Sequence, residues 1–318
     1  MLGIGGLLGH DGNAALLVDG RVVAASQEER FTRKKHDAGF PRNAALDCLE
    51  IGGLAPEDVG WCVFSEKPFQ NLLHERTESP TNAISWWASR LIPAGKFSYP
   101  AAARALFPGA DFKYAWHHLS HAAAAFATSP FERAAFLCVD GKGEDVSATV
   151  GVADRRRTEI LYELPYENGI GLLYTLVTSF LGFTSFGSEY KVMGLAPYGE
   201  PVWVEELRRF AISDESGALR LRERATFAWP HMLASMAALG RHLGLPQRLK
   251  GQPLEAIHVD LAASIQELFE LELLKMAEFA RRSTGERNLL FCGGCAQNCV
   301  TAGRLRRSGI FDAVFNSP

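Results

Sequence analysis

An Asp-Gly pair between two apolar runs is the feature that most restricts what this chain can fold into. Residues 13–18 and 21–26 flank Asp19 and Gly20, and a two-residue Asp-Gly loop between such runs is typical of a β-hairpin. A short apolar strand is also predicted over residues 1–6, ahead of a glycine-rich turn. The chain therefore begins with three strands, the last two of which are joined by a tight turn.

Beyond the hairpin, helical and strand patterns alternate along the chain. This alternation predicts an α/β sheet whose ligands bind at the ends of strands. Residues 66–110 hold several aromatic side chains and one helix without a clean period, and no internal sequence repeat is visible. Helices are predicted over 43–51, 119–128, 171–181, 254–282 and 296–308, and strands over 59–65, 113–117, 134–140, 146–152, 159–165, 289–291 and 313–315.

Size, charge and cysteine content narrow the class of protein. The length of 318 residues predicts about two domains with ample sequence for a large core. A net charge of -3 argues against a nucleic-acid protein held by bulk charge. The apolar start lacks a basic region and a cleavage site, and no apolar run is long enough for a membrane span. We therefore expect a cytoplasmic protein with no membrane partner and with its six cysteines reduced.

Three residues have the pattern of a metal site. His117 and His121 are four positions apart, which places both imidazoles on one face of a helix. Asp140 ends an apolar strand, where a carboxylate is well placed for an α/β site. Two imidazoles and a carboxylate would hold a divalent transition metal and leave coordination positions open. The alternatives are a polar helix N-terminus and an aspartate that only starts a β-turn.

Three glycine turns lie between a strand and another element, at residues 9–12, 140–143 and 292–298. Glycine lets the backbone approach a phosphate, and a following helix N-terminus favours an anion. Together the turns predict a phosphate-bearing ligand, although none matches a P-loop or dinucleotide fingerprint. Lys191 could neutralise such a ligand or form an ion pair with Glu189. The basic run from Arg33 to His36 has the same two interpretations, phosphate neutralisation or a solvated loop.

Two further motifs allow more than one interpretation. His10 and Asp11 could transfer a proton, or they could form an Asx-type turn. Cys292, Cys295 and Cys299 have a C-x-x-C-x-x-x-C spacing that suggests zinc or an iron–sulfur cluster. No fourth ligand lies nearby in the sequence, and the interspersed Gly-Gly and Gln-Asn pairs favour a turn that recognises a ligand through its backbone.

Five segments of the chain resemble, in order, the O-carbamoyltransferases of antibiotic and nodulation-factor biosynthesis. They are GHDGNAALLVDGRVVAASQEERFTRKKHDAGFP, HHLSHAAAAF, VDGKGE, SEYKVMGLAPYG and GGCAQNCVTAGRL. The resemblance spans nearly the whole chain and implies the N-terminal carbamoyl-transfer domain of that family, which is related to the tRNA threonylcarbamoyl-transfer subunit. The implied fold is the α/β actin/Hsp70-like ATPase fold with duplicated RNase H-like subdomains. We expect these subdomains at residues 1–152 and 153–318, the second being incomplete and carrying a helical insertion at about 200–282.

The resemblance also implies a reaction and its ligands. Family members make carbamoyl-adenylate from carbamoyl phosphate and ATP in a C-terminal YrdC-like domain, and the N-terminal domain transfers the carbamoyl group to a hydroxyl of a small acceptor. A divalent, iron-type metal (Fe2+) would be bound by His117, His121 and Asp140, with His10 and Asp11 beside the acceptor. The adenylate would lie against Gly141, Lys142, Gly143, Lys191, Gly293, Gly294 and Asn298.

Two parts of the family pattern are missing from these 318 residues. The family has a second metal-binding aspartate after the last strand, and it has the YrdC-like domain. We therefore expect a carbamoyl-transfer domain that needs the missing part, or a separate subunit, for complete catalysis, either as a monomer or as a homodimer. The alternatives are a non-catalytic nucleotide-binding or partner module of the same fold, and a metal or redox sensor built on the cysteines.

Overall fold

A computed structural model describes residues 1–6, 11–37, 39–67, 99–166, 169–184, 187–221 and 231–317. The chain divides into two compact units, Met1–Ser120 and His121–Pro318, and each has its own five-stranded sheet. The division falls inside one helix, His117–Thr128. Residues 152 and 153, where a subdomain boundary is predicted, lie together in a strand of the second unit, Val146–Asp154.

The sheet of the first unit begins with the predicted hairpin, which the structure confirms. Strands β1 (Leu2–Gly5), β2 (Asn13–Val18) and β3 (Arg21–Gln27) pair antiparallel in sequence order. Strands β4 (Trp61–Phe64) and β5 (Asp111–Tyr114) then run parallel to β1 on its other side. The resulting order is β3-β2-β1-β4-β5.

Among the described residues of the first unit, the helices beside this sheet include α1 (Glu29–Thr32), α2 (Arg42–Gly52) and α3 (Tyr99–Leu106). Leu2 and Leu16 lie opposite each other on β1 and β2 and are buried with the apolar side chains of α2 and α3. Alternate residues of a strand share one face, so the hairpin register fixes which side chains enter this core.

The sheet of the second unit repeats the topology of the first. Strands β6 (Arg133–Gly143), β7 (Val146–Asp154) and β8 (Thr158–Pro165) pair antiparallel in sequence order. Two later strands, β11 (Asn288–Cys292) and β12 (Ala313–Asn316), run parallel to β6. The order β8-β7-β6-β11-β12 corresponds position by position to that of the first sheet.

Two copies of one sheet topology within one chain are the duplication that the predicted actin/Hsp70-like fold class requires, and they confirm that class. Both parallel strands, β11 and β12, are present in the second sheet.

Helices surround the second sheet and fill much of the predicted helical insertion. The exception is a short antiparallel ribbon that was not predicted, β9 (Ala211–Ser213) paired with β10 (Leu219–Leu221). Strands of three residues are too short to show a periodic pattern of apolar residues in the sequence. Among the described residues, no helix combines the length and apolar character that crossing a bilayer requires. The helices are α4 (His117–Thr128), α5 (Ile170–Phe180), α6 (Glu189–Leu195), α7 (Val204–Phe210), α8 (His231–Leu243), α9 (Ala256–Thr284) and α10 (Cys299–Arg307).

Strand β6 extends further than predicted. Residues 141–143 were predicted as part of a turn, but they still belong to the strand, and the turn lies at Glu144 and Asp145. The pairing of β6 with β7 shifts register between Val139 and Gly143. Such an irregularity bends a strand and changes the direction of its side chains. Asp140 therefore lies within an irregular stretch of strand, not at the start of a turn.

A buried carboxylate connects the hairpin to α2 and generates the first testable expectation. Helix α2 has no side-chain cap of its own at Pro41. Instead, Glu28 is 4% exposed and accepts hydrogen bonds from the backbone N–H groups of Asn43 and Ala44, at 3.3 and 2.9 Å. Its Oε1 also accepts from the Asn43 amide at 2.6 Å. Glu28 thus satisfies N–H groups that an α-helix leaves unpaired at its start.

We expect Glu28→Ala to lower the free energy of unfolding by about 2–4 kcal/mol, because it leaves buried donors without an acceptor. Urea unfolding measures this change. Glu50→Ala, at an exposed position of the same helix, serves as the control and should stay within about 0.5 kcal/mol of the wild type. Equal losses for both variants would contradict the capping role.

Candidate active site

Helix α4 lies against the second sheet because its buried face is made of small residues. Ala122 and Ala125 are fully buried and pack with Phe136 and Cys138 of β6. Alanine is a strong helix former and its short side chain allows a close approach of helix and sheet. The helix begins at His117, two residues earlier than predicted, and both His117 and His121 therefore lie on it, one turn apart.

The structure brings the predicted metal ligands together. His117, His121 and Asp140 each offer one ligand atom, and these atoms lie within 4.8 Å of one another. His121 Nε2 is 3.3 Å from Asp140 Oδ2. The His117 side chain is 6% exposed, whereas those of His121 and Asp140 retain some access to solvent. A helix turn and a sheet strand thus supply two imidazoles and one carboxylate around a common centre.

The surrounding hydrogen bonds hold these side chains in one orientation. Asp140 Oδ1 accepts from the N–H of Gly141 at 2.7 Å, and Oδ2 accepts from the N–H of Gly294 at 3.0 Å. His117 Nδ1 lies 3.4 Å from the carbonyl oxygen of Ser65. A carbonyl can only accept, so Nδ1 carries the proton and Nε2 keeps its lone pair. Such outer hydrogen bonds are typical of metal-binding histidines and carboxylates.

The donor set fits a divalent transition metal. Imidazole and carboxylate ligands suit iron, zinc and manganese alike, so the choice among these metals does not follow from the three residues. In the described ranges, no other group of histidine, cysteine, aspartate or glutamate residues has three ligand atoms this close together.

The glycine turn after β11 is packed directly on the end of β6. A Cβ at Gly293 would lie 2.4 Å from the carbonyl oxygen of Val139, and Gly293 has a φ of 91°. A Cβ at Gly294 would lie 2.8 Å from Asp140 Oδ1. Glycine is therefore required at Gly293 for both space and conformation, and a side chain at Gly294 would displace the Asp140 carboxylate. The N–H of Gly294 is bonded to Asp140, so this turn first serves to hold the carboxylate.

The other residues predicted to bind a nucleotide occupy separate environments. Lys142 on β6 is 7% exposed, and its Nζ lies 4.9 Å from the ring centre of Tyr166. Lys191 on α6 is half-buried, with Nζ 5.9 Å from the ring centre of Phe183 and 5.7 Å from that of Tyr190. Glu189 Oε1 accepts a hydrogen bond from Thr175. Gly143 lies at the end of β6 and pairs with Val146 of β7.

Asn298 starts helix α10 and contributes its side chain to that helix. Its Oδ1 accepts from the N–H of Thr301 at 3.0 Å, which is the geometry of an N-cap. Its Nδ2 donates to Gln266 Oε1 on α9 at 2.8 Å. The sequence pattern identifies Asn298 but gives no indication of Gln266, which is 32 residues away.

In the first unit, Asp11 pairs with a histidine that was not predicted as its partner. Asp11 Oδ1 lies 3.1 Å from His36 Nδ1, and both residues have left-handed backbones, with φ of 55° and 54°. The N–H of Gly12 donates to the carbonyl of Asp37 at 2.7 Å, which holds the two segments together. His36 was interpreted only as the end of a basic run. His10, the predicted partner of Asp11, lies outside the described residues.

The cysteines do not have the properties of a thiolate metal site. Cys292 is fully buried in β11, whereas Cys299 is exposed at the start of α10. Burial raises the pKa of the Cys295 thiol, and the nearby Asp140 and Glu189 carboxylates raise this pKa further. Burial also raises the pKa of Cys138. Both thiols therefore ionise less readily than an ordinary cysteine. Within the described part of the chain, the cysteines also do not form a group of three close ligand atoms.

Comparison with known proteins shows which sequences this chain is similar to. A family model described as the carbamoyltransferase N-terminus matches residues 1–318. An uncharacterized protein of Synechocystis sp. is 35% identical over 97% of this chain and 53% of its own length. Nodulation protein NolNO of Sinorhizobium fredii is 33% identical over 97% of this chain and 44% of its own length. The chain thus spans about half the length of the curated relatives that it matches.

A solved structure is similar over the full chain. Component A of the (R)-2-hydroxyglutaryl-CoA dehydratase of Acidaminococcus fermentans is 14% identical and has a TM-score of 0.48, over 100% of this chain and 91% of that one.

We expect the chain to bind one divalent ion through α4 and β6. His121→Ala should weaken binding of Co2+ or Fe2+ at least about 100-fold, because loss of even an outer partner of a ligand costs about 10- to 100-fold. Isothermal titration and metal analysis of the purified protein measure this. His36→Ala is the matched control, since it removes an imidazole outside the cluster. Undiminished metal binding by His121→Ala would show that the ion is held elsewhere.

We expect the thiols to differ sharply in alkylation rate at pH 8. Exposed Cys299 should react with iodoacetamide at least about tenfold faster than Cys295, since only the thiolate reacts and a raised pKa lowers its fraction. Raising the pH should speed the reaction of Cys295. Peptide mass spectrometry after timed quenching resolves the individual sites. Comparable rates at the two cysteines would contradict the thiol environment described above.

Proposed function

The chain belongs to the family of carbamoyltransferase N-terminal domains, and we propose that it is the carbamoyl-transfer domain of an O-carbamoyltransferase. The carbamoyl group would pass from carbamoyl-adenylate to a hydroxyl of a small natural-product acceptor. Nodulation protein NolNO is among the relatives that share one third of their aligned residues with the chain. The acceptor class remains part of the proposal.

The observation that supports this proposal most directly is the convergence of His117, His121 and Asp140, whose ligand atoms lie within 4.8 Å of one another. A divalent metal bound there, iron by resemblance, would supply Lewis-acid polarisation of a carbonyl. The N–H groups of Gly141 and Gly294 already hold the Asp140 carboxylate. The site would therefore need little rearrangement when it is filled, and preorganisation of this kind favours catalysis.

The transfer itself requires a nucleophile, a leaving group and a proton acceptor. The acceptor hydroxyl oxygen forms a bond to the carbamoyl carbon, and the bond from that carbon to the adenylate phosphate oxygen breaks. AMP leaves with the electron pair of the broken bond. We assign the hydroxyl proton to Asp11 or His10 by resemblance. The contact of Asp11 Oδ1 with His36 Nδ1 at 3.1 Å supports Asp11, because an imidazole beside a carboxylate orients it and can share its proton.

The adenylate is proposed to lie along the last residues of β6 and the turn that follows β11. Lys142 and Lys191 would supply positive charge for its phosphate. Gly293 and Gly294 let the turn after β11 pack directly on Val139 and Asp140 of β6. The N–H groups of Gly141 and Gly294 donate to Asp140, so other donors of these two segments would make the contacts to the nucleotide.

The carbamoyl-adenylate is proposed to be made from carbamoyl phosphate and ATP in a YrdC-like domain or a separate subunit. The matched relatives are roughly twice as long as the chain, which spans 53% and 44% of two of them. Complete activity would accordingly be tested in a protein that joins this domain to the adenylate-forming part.

We expect such a complete protein to form a carbamate ester from carbamoyl phosphate, ATP and a hydroxyl-bearing acceptor, detected by mass spectrometry across a panel of small natural products. Asp11→Asn should lower the rate about 100- to 10,000-fold, the range for loss of a general base. Asp19→Asn is the matched control, because Asp19 is also an aspartate in a left-handed turn, with φ of 49°.

The outcomes separate the proposed enzyme from the alternatives. A full rate for Asp11→Asn would overturn the role of Asp11 as base. Nucleotide binding without ester formation on any acceptor would favour the non-catalytic module of the same fold.

A further inference from the structure

A network of hydrogen-bonded polar side chains runs from the surface of α10 to the N-cap of the same helix. Arg304 Nη1 donates to Glu270 Oε2 at 3.0 Å. Glu270 Oε1 accepts from Gln266 Nε2 at 2.9 Å. Gln266 Oε1 accepts from Tyr174 Oη at 2.9 Å and from Asn298 Nδ2 at 2.8 Å. Gln266 and Glu270 are 5% and 7% exposed, so most of this network is shielded from water.

The ion pair between Arg304 and Glu270, at one end of this network, determines the orientation of the amide groups within it. Arg304 only donates, and the Glu270 carboxylate paired with it only accepts, so the Gln266 amide must present its nitrogen to Glu270. Its oxygen then faces the Tyr174 hydroxyl and the Asn298 nitrogen. The Gln266 nitrogen also lies 3.2 Å from Asn298 Oδ1 and 3.3 Å from Thr301 Oγ1. Burial raises the pKa of the Tyr174 hydroxyl, which therefore stays protonated and can donate.

The same logic fixes the amide of Asn298. Its nitrogen faces the Gln266 oxygen at 2.8 Å, and its oxygen faces the N–H of Thr301 at 3.0 Å. Within the described residues, Gln266 Oε1 is the recorded acceptor for Asn298 Nδ2, and this nitrogen carries a second hydrogen. Asn298 is half-buried and immediately follows the turn whose glycines pack on β6.

An N-cap needs only the asparagine oxygen. The contact of Gln266 Nε2 with that oxygen at 3.2 Å supports the cap, but the cap does not account for the hydrogen bond from the Asn298 nitrogen to Gln266 Oε1 at 2.8 Å. We infer that Gln266 and Glu270 are positioning residues that hold Asn298 so that its second amide hydrogen is presented as a donor to the adenylate. This inference rests on the proposed function, since it specifies how the nucleotide side of that site is ordered. The ligand chemistry is an acceptor oxygen or nitrogen of an adenine nucleotide.

Glu270→Gln is the most informative variant because it keeps the shape and reverses the polarity. Arg304 would attract the new amide oxygen, so the new amide nitrogen would face Gln266. Gln266 would have to turn its oxygen toward this new amide nitrogen, which would place its own nitrogen against the Asn298 nitrogen. Asn298 would then have to turn its own nitrogen toward the N–H of Thr301, which is a contact between two donors. The helix cap and the network would therefore require opposite orientations of the Asn298 amide.

The control is supplied by the neighbouring carboxylate. Glu267 Oε2 accepts from the same Arg304 nitrogen at 2.9 Å. In the part of the protein that the structure describes, the Gln266 amide donates to Glu270 and not to Glu267. Glu267→Gln thus removes the same charge from the same arginine and leaves the amide chain intact.

The experiment is isothermal titration of the chain with AMP, with thermal unfolding measured in parallel. We expect Glu270→Gln and Gln266→Met each to raise the Kd for AMP about 3- to 20-fold, the loss of one ligand hydrogen bond, and Glu267→Gln to stay within about twofold. A lowered melting temperature with an unchanged Kd in the first two variants would assign the network to stability alone and overturn the inference. Equal weakening by Glu267→Gln would overturn it too, because charge would then be the cause.

Failure of the proposed nucleotide site has a different signature. If the wild-type chain binds no AMP, the proposed site itself is refuted and the inference with it, whereas wild-type binding with unaffected variants refutes the inference alone.

Discussion

The contact between the Gly293–Gly294 turn and the end of β6 is the constraint on which the rest of the candidate site depends. The space that a Cβ would need at Gly293 is taken by the carbonyl of Val139, and the N–H of Gly294 is spent on the Asp140 carboxylate. The adjacent parallel strands β6 and β11 thus meet at one corner of the site, formed by Val139, Asp140 and the two glycines. Because the carboxylate is fixed there, the imidazoles of α4 need only the helix register and the alanine packing to reach it.

Hydrogen-bond direction organises both sides of this corner. On the metal side, carbonyl and N–H partners leave His117 and Asp140 with lone pairs available at the common centre. On the α10 side, an ion pair orders two amides in sequence. In both cases a group that can only donate or only accept sets the orientation of one that can do either. Low exposure strengthens these bonds and makes a reversed orientation costly.

Much of the architecture could be predicted from the sequence because it depends on local patterns. The Asp-Gly hairpin, the alanine helix and the long α9 each follow from periodicity and turn chemistry. The duplication of the sheet left no sequence repeat, since a strand order can be filled by different side chains. The β9–β10 ribbon was too short to show a period. The bulge that keeps residues 141–143 in β6 depends on pairing with β7, which local glycine content does not reveal.

The sequence by itself determined the α/β class, the helix spacing of His117 and His121, and the position of Asp140 near the end of a buried strand. These properties follow from residue order along one element at a time. Only the tertiary structure decided that the carboxylate reaches the imidazoles, that Asp11 meets His36, and that Asn298 is held by Gln266. Such pairs join residues 19, 25 and 32 positions apart, and their contact depends on how sheets, turns and helices pack, which no local pattern encodes.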